Sequence, residues 1–440
     1  MRRSLRTALR ARLHLRATAA FAVLALALTA CGGDSGGGST PGVTKDSIVI
    51  GSHQPLTGPA APGYSNVSQG AKAYFDYVND HGGVNGRKID FRYRDDAYNP
   101  TETVKITKEL VLQDKIFAML GGLGTPTHTK VVDFLNAQRV PDLFVSSGCR
   151  CWDEPKKHPQ TFGWQPDYVV EGKILGQYIK EHFAGKKVAY FYQGDDFGKD
   201  GVAGLDQFIA ADQVVSRQSY QPGGTDISPQ VAAIAGSKAD VVVLFTIPSY
   251  TALFKLTSVK LRYNPQLVVT NVGSDPTTLG GLLDAYVKKA GGTADVAALM
   301  DGIITDTYMP PTTDTSNSWI KLFRSIHDKY IPKTPFEGNV EFGMSMAYTF
   351  VQALKGAGKD PTRESLVKAV EKGGFTGPGL VPFRYSADSH AGYTGVQIGT
   401  LKGSEIGLEG TPLVTDSGTG PITEYTTAQP EAPADGIPAS

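Results

Sequence analysis

Apolar residues along this chain switch repeatedly between two periods. Ile89, Phe91 and Tyr93 alternate with charged neighbours, the repeat of a strand with one buried face. Val67, Ala71, Tyr74, Phe75 and Val78 return every three or four positions, which predicts a helix, and His81-Gly82-Gly83-Val84-Asn85-Gly86 supplies its stop and turn. Asn99-Pro100 offers a cap and a first-turn proline for a helix through Leu110 and Val111. Short apolar runs at 47–51, 116–120, 143–145, 188–192, 241–245, 267–270 and 303–305 read as buried strands, with helical spacing at 131–137, 174–179 and 342–354. Strands that alternate with helices imply parallel sheets covered on both faces, because parallel neighbours need a crossover connection. The fold class is therefore α/β. The strands exceed what one compact open sheet requires, so two doubly wound, Rossmann-like lobes are expected.

The ends of the chain follow a different logic. Six arginines and no acid precede an apolar run from Ala17 to Ala30, the layout of a secretory signal. That run falls short of the roughly 20 strongly apolar residues of a membrane span. Its close, Leu28-Thr29-Ala30-Cys31, resembles the lipobox of bacterial lipoproteins, which implies a signal peptide over 1–31 and a lipid on the Cys31 sulfur. Residues 32–46, opening on a glycine and serine run, are expected to form a flexible tether. The acidic, proline-rich stretch 415–440 lacks apolar periodicity and is expected to be a loose tail.

Taking those six arginines from 43 basic residues leaves 37 against 43 acidic ones, and a mildly acidic body argues against nucleic acid as a partner. Cys149 and Cys151 fit either a small local disulfide ring or two thiols, a loop staple in either state and not a catalytic pair. The eight histidines are scattered without metal-ligand spacing, and no phosphate loop with its lysine is present, so neither a metal nor a cofactor is expected.

Ligands of doubly wound sheets meet the loops at the carboxyl ends of strands. Four such loops here carry small or turn-forming polar residues: Gly121-Gly122-Leu123-Gly124-Thr125-Pro126-Thr127, Ser146-Ser147-Gly148, Gln193-Gly194-Asp195-Asp196-Phe197-Gly198 and Asn271-Val272-Gly273-Ser274-Asp275. Any one of them is explained as a tight strand-to-helix turn. Together they offer backbone N–H groups and hydroxyls suited to a polar or anionic solute.

The resemblance then becomes specific. Ile50-Gly51 with Pro55-Leu56-Thr57-Gly58-Pro59, then Asn79-Asp80-His81-Gly82-Gly83-Val84-Asn85-Gly86-Arg87 and Asp95-Asp96, resemble the opening of type I periplasmic binding proteins of the branched-chain amino acid kind. Asp195-Asp196-Phe197-Gly198-Lys199-Asp200 and the segment 342–354 are similar to that family's later elements. The resemblance implies two lobes, 47–166 with 308–385 and 167–307 with 386–414, joined by three crossovers and closing by hinge bending on a small-molecule solute. It also implies that the closed form docks on the permease subunits of an ABC importer, outside the membrane and held there by the lipid anchor.

Carried over residue by residue, the resemblance gives Thr125 as the hydroxyl for a solute carboxylate, with Ser146, Ser147 and Gly148 in the next loop. It gives Phe197 on the second lobe, Phe342 lining the cleft and Tyr64 beside a further aromatic position. Asn271 departs from the pattern. Members that take an α-amino acid carry a carboxylate near this place, because a buried ammonium without a partner is very costly. A neutral Asn271 therefore predicts a solute without a free ammonium, unless Asp275 or Asp195 substitutes. Branched-chain amino acids and aromatic or other organic acids are the solute classes implied. Trp152, Trp164, Tyr64 and Phe197 suit stacking on a flat apolar ligand, although each taken singly fits core or hinge packing.

Two other classes compete. Gly343-Met344-Ser345-Met346-Ala347 is loosely similar to the nucleophile turn of hydrolases, yet it lies inside the helical spacing of 342–354 and no catalytic residue is expected. A sensing ectodomain of the same fold remains the alternative to a transport role.

Overall fold

The computed structural model describes residues 40–439; the signal segment, Cys31 and the tether as far as residue 39 lie outside the described residues. Five strands, β1 (Ser47–Gln54), β2 (Lys88–Asp95), β3 (Ala118–Leu120), β4 (Asp142–Val145) and β5 (Thr161–Gly163), form one sheet in the order β2-β1-β3-β4-β5. Every pairing in it is parallel. A second sheet holds β6 (Val188–Gln193), β7 (Val214–Tyr220), β8 (Val241–Phe245), β9 (Gln266–Val269) and β10 (Ile304–Thr307) in the parallel order β7-β6-β8-β9-β10. The antiparallel strands β11 (Gly395–Lys402), β12 (Glu405–Leu408), β13 (Leu413–Val414) and β14 (Thr423–Glu424) extend that sheet beyond β10.

Each sheet belongs to one lobe, and the chain passes between them after β5, after β10 and again before β11, with its end returning to the first lobe beyond β14. The fold is α/β with two doubly wound lobes, as the alternation predicts. Buried strands such as β8, Val-Val-Val-Leu-Phe, are apolar throughout because helices cover both faces. Asn99 caps its helix as its sequence suggests, accepting from the Thr101 N–H at 2.9 Å with Pro100 in the first turn. In the first lobe the helices Ala61–Asp80 and Gly338–Gly356 pack backbone to backbone. A Cβ on Gly343 would stand 2.0 Å from the Val67 carbonyl oxygen, and one on Gly70 would stand 2.3 Å from that of Val340.

Three expectations need correction or completion. The strands β5, β7 and β11–β14 give no strong signal: β5 has three residues, β7 is a polar edge strand and the others form a late antiparallel extension. Cys149 and Cys151 are joined as a disulfide. The end of the chain is not a loose tail. Its backbone carbonyls take donors from the first lobe: Tyr74 to Gly436 at 2.8 Å, Tyr77 to Asp435 at 2.7 Å and the Trp319 indole to Pro430 at 2.6 Å. The Lys173 ammonium, 1% exposed, donates to Thr415 Oγ1, Asp416 O, Gly418 O and Gly420 O at 2.8–3.0 Å. Backbone acceptors of this kind have no side-chain periodicity, so pattern reading does not find them.

Candidate functional site

The carboxyl ends of both sheets face one cavity of about 140 Å³ between the lobes. The first lobe contributes Tyr64, Tyr98, Thr125, Ser146, Glu341 and Phe342, and the second contributes Phe197, Asn271, Asp275 and Asp306. Tyr168, just past the first crossing, and Tyr308, at the second, line it as well. Among the described residues no lysine, arginine or histidine lines this cavity.

Local chemistry explains how several of these side chains are aimed. Thr125 follows β3, and its hydroxyl meets that of Ser147 at 2.7 Å. Ser147 is 1% exposed and stands behind Thr125; neither it nor Gly148 lines the cavity, whereas Ser146 does. Asp195 caps the helix Asp196–Leu205 by accepting from the Phe197 N–H at 3.1 Å. That cap puts the Phe197 ring 4.5 Å from the ring of Tyr168, on the cavity wall. Trp152 and Trp164 do not line it. Trp164 sits among Phe144, Phe383 and Tyr393 with ring centres 5.1–5.3 Å away, packing in the hinge. Ser345 is fully buried in the helix Gly338–Gly356, away from any strand-to-helix turn.

The lobes also touch directly across the opening. Tyr64 OH donates to the Val272 carbonyl at 2.5 Å, and Ser249 Oγ donates to that of Pro59 at 3.0 Å. The Gly338 N–H donates to Asp275 at 3.1 Å, and that of Arg150 to Asp200 at 3.2 Å.

Asn271 is neutral, but its surroundings are not. Its backbone N–H donates to Asp306 Oδ1 at 2.7 Å and to Glu171 Oε1 at 3.0 Å, and its side-chain amide donates to Glu171 Oε1 at 2.7 Å. Glu171 is 0% and Asp306 1% exposed. Burial first raises both acids, Asp306 to about 7, and the charge of Asp306 raises Glu171 further. Two carboxyl groups in contact at a low-dielectric site hold one proton between them. Glu171 Oε2 and Asp306 Oδ2 take no donor from the rest of the protein. The ground for expecting a solute without an ammonium is thereby removed, because buried carboxyl groups stand beside Asn271, Asp306 on the cavity wall and Glu171 behind it. Alignment at position 271 does not find them, since they come from another helix and another strand end. A glutamate within the mostly apolar helical segment 168–176 and an aspartate directly after the run 303–305 were the available signals.

Comparison with known proteins agrees with this geometry. Residues 47–405 match the family model described as periplasmic binding protein, and the chain belongs to that family. It is 26% identical over 352 residues to a Leu/Ile/Val-binding protein homolog 3 of Brucella melitensis, covering 74% of this chain and 83% of that one. Among solved structures it is similar to a branched-chain amino acid ABC transporter protein of Thermus thermophilus with bound valine. That match has a TM-score of 0.74 and 19% identity, over 85% of this chain and 98% of the other. A fatty acid ABC transporter substrate-binding protein of Thermomonospora curvata gives a TM-score of 0.74 and 23% identity, over 86% and 95% of the two chains. These two likenesses speak to the fold.

Proposed function

We propose that this protein captures a small amino-acid-like solute on the outer side of the cell membrane, held there by a lipid on Cys31. With its lobes shut, it delivers that solute to the permease of an ATP-driven importer. The observation that carries the reading is the cavity between the lobes, which the Thr125 and Ser146 hydroxyls reach from the first lobe and the Asp306 carboxyl from the second. Thr125 and Ser146, with Ser147 holding Thr125 in place, receive the solute carboxylate. Asp306, backed by Glu171 and Asn271, receives its ammonium, while Phe197, Phe342 and Tyr64 wall the rest. The Leu/Ile/Val-binding relatives support the same solute class.

Calorimetry and thermal shift with amino acids, small amides and aromatic acids test it, since a ligand that binds only the folded state raises apparent stability. Amino acids are expected to bind, and Thr125→Ala combined with Ser147→Ala to weaken them at least about tenfold, about 1.4 kcal/mol. A protein that responds to no solute on the panel, or a double variant with unchanged affinity, rejects the assignment.

A further inference from the structure

Glu341 lies in the first turn of the helix Gly338–Gly356 and lines the cavity from the first lobe, on a different lobe from Asp306. It is 2% exposed, its carboxyl takes no hydrogen bond from any protein group, and Oε1 is a buried atom without a partner. Its acidic neighbours are engaged. Asp275 accepts from the N–H groups of Thr278 and Gly338 at 2.7 and 3.1 Å. Glu337 accepts from Asn66, from the Asn339 backbone and from the Asn339 amide at 3.1, 3.0 and 2.6 Å. Glu341 alone of the three faces the cavity with nothing to bind.

A carboxyl group costs much to bury unless something donates to it. A zwitterion placed as above spends its carboxylate on Thr125 and Ser146 and its ammonium on Asp306, so a donor for Glu341 has to come from the rest of the solute. A plain hydrocarbon side chain there strands the group. We propose that Glu341 is a specificity-determining residue, and that the solute carries a hydrogen-bond-donating nitrogen, ammonium, guanidinium or amide, at the end remote from its carboxylate. The inference rests on the solute-binding reading of this cavity and deepens it. It departs from the aliphatic side chains in the relatives' names. Burial, followed by the charges of Asp275 and Glu337, holds the Glu341 carboxyl well above the ordinary carboxylate range. A cationic tip thus draws a proton out of it on binding, whereas an amide tip does not.

Titration calorimetry of the purified protein at pH 7 decides, with norleucine and leucine set against lysine, ornithine and glutamine. The nitrogen-tipped ligands are expected to bind about 10–100-fold more tightly than norleucine, the range set by one stranded polar group. Glu341→Met should reverse that order, with circular dichroism and melting temperature confirming a folded variant. Glu341→Gln should lose the cationic ligands about tenfold or more and keep glutamine. Binding heats that differ between buffers of unlike ionisation enthalpy mark a cationic tip; heats that agree mark an amide. If leucine and norleucine bind the wild type as tightly as the nitrogen-tipped ligands, or if Glu341→Met leaves the order unchanged, this inference falls while the solute-binding reading stands. If no ligand in either set binds, both fall.

Discussion

Single side chains in this protein answer to burial more than to their intrinsic chemistry. The carboxyl of Asp306 is pushed up to about 7 by burial, and Glu337 up to about 8 by burial and then by the charge of Asp275. An acid whose folded pKa is raised holds its proton more tightly folded than unfolded. Its folded form is therefore favoured at pH near 4 and loses that advantage as pH rises through 7. Asp306→Asn removes one such group. The ligand-free variant is expected to gain melting temperature relative to wild type as pH goes from 5 to 8, and to lose affinity for amino acids at every pH. A constant difference between the two melting curves across that range contradicts the buried proton at this pair.

Among the helices, close approach rather than amphipathic patterning decides the geometry of the site. The helix Ala61–Asp80 carries Tyr64, and Gly338–Gly356 carries Glu341 and Phe342, so their spacing sets one wall of the cavity. The Val67 carbonyl stands 2.0 Å from where a Gly343 Cβ would be, and backbone does not move aside as a flexible side chain does. Gly343→Ala is expected to cost about 1–3 kcal/mol, the usual range for overpacking, and to weaken solute binding as well. Urea unfolding and calorimetry on the same variant check this, and unchanged stability would show that the two helices can part freely. Sequence pattern placed both helices, including the end of the first at His81, because caps and apolar spacing are local. It did not reveal the contact between them, since a glycine within an apolar helix gives no sign of what stands opposite.

For the molecule as a whole, the closed arrangement is held by bonds that exist only when the lobes meet. A ligand shifts an open-to-closed equilibrium only by its preference for one state, and the Tyr64 bond to Val272 adds to the closed side. Tyr64→Phe removes a bond worth about 0.5–1.5 kcal/mol. Affinity should drop several-fold, and small-angle scattering should show a larger radius for the ligand-free variant than for ligand-free wild type. Equal radii and equal affinity would mean that this bond adds nothing to closure.

Local order in the sequence was enough to specify the α/β class, two lobes and the strand-end loops, while the family resemblance pointed to Thr125, Ser146, Phe197, Phe342 and Tyr64, all of which line the cavity, as does Asn271. The elements follow from strand ends, caps and periodic helices, which are local features of the chain. The acidic side of the site was decided only by tertiary structure. Glu171 and Asp306 reach Asn271 from 100 and 35 positions away, and Glu341 arrives on a helix from the opposite lobe. Parallel sheets connect through long crossovers, so charges that share one cavity are scattered along the chain and announce their meeting nowhere in it.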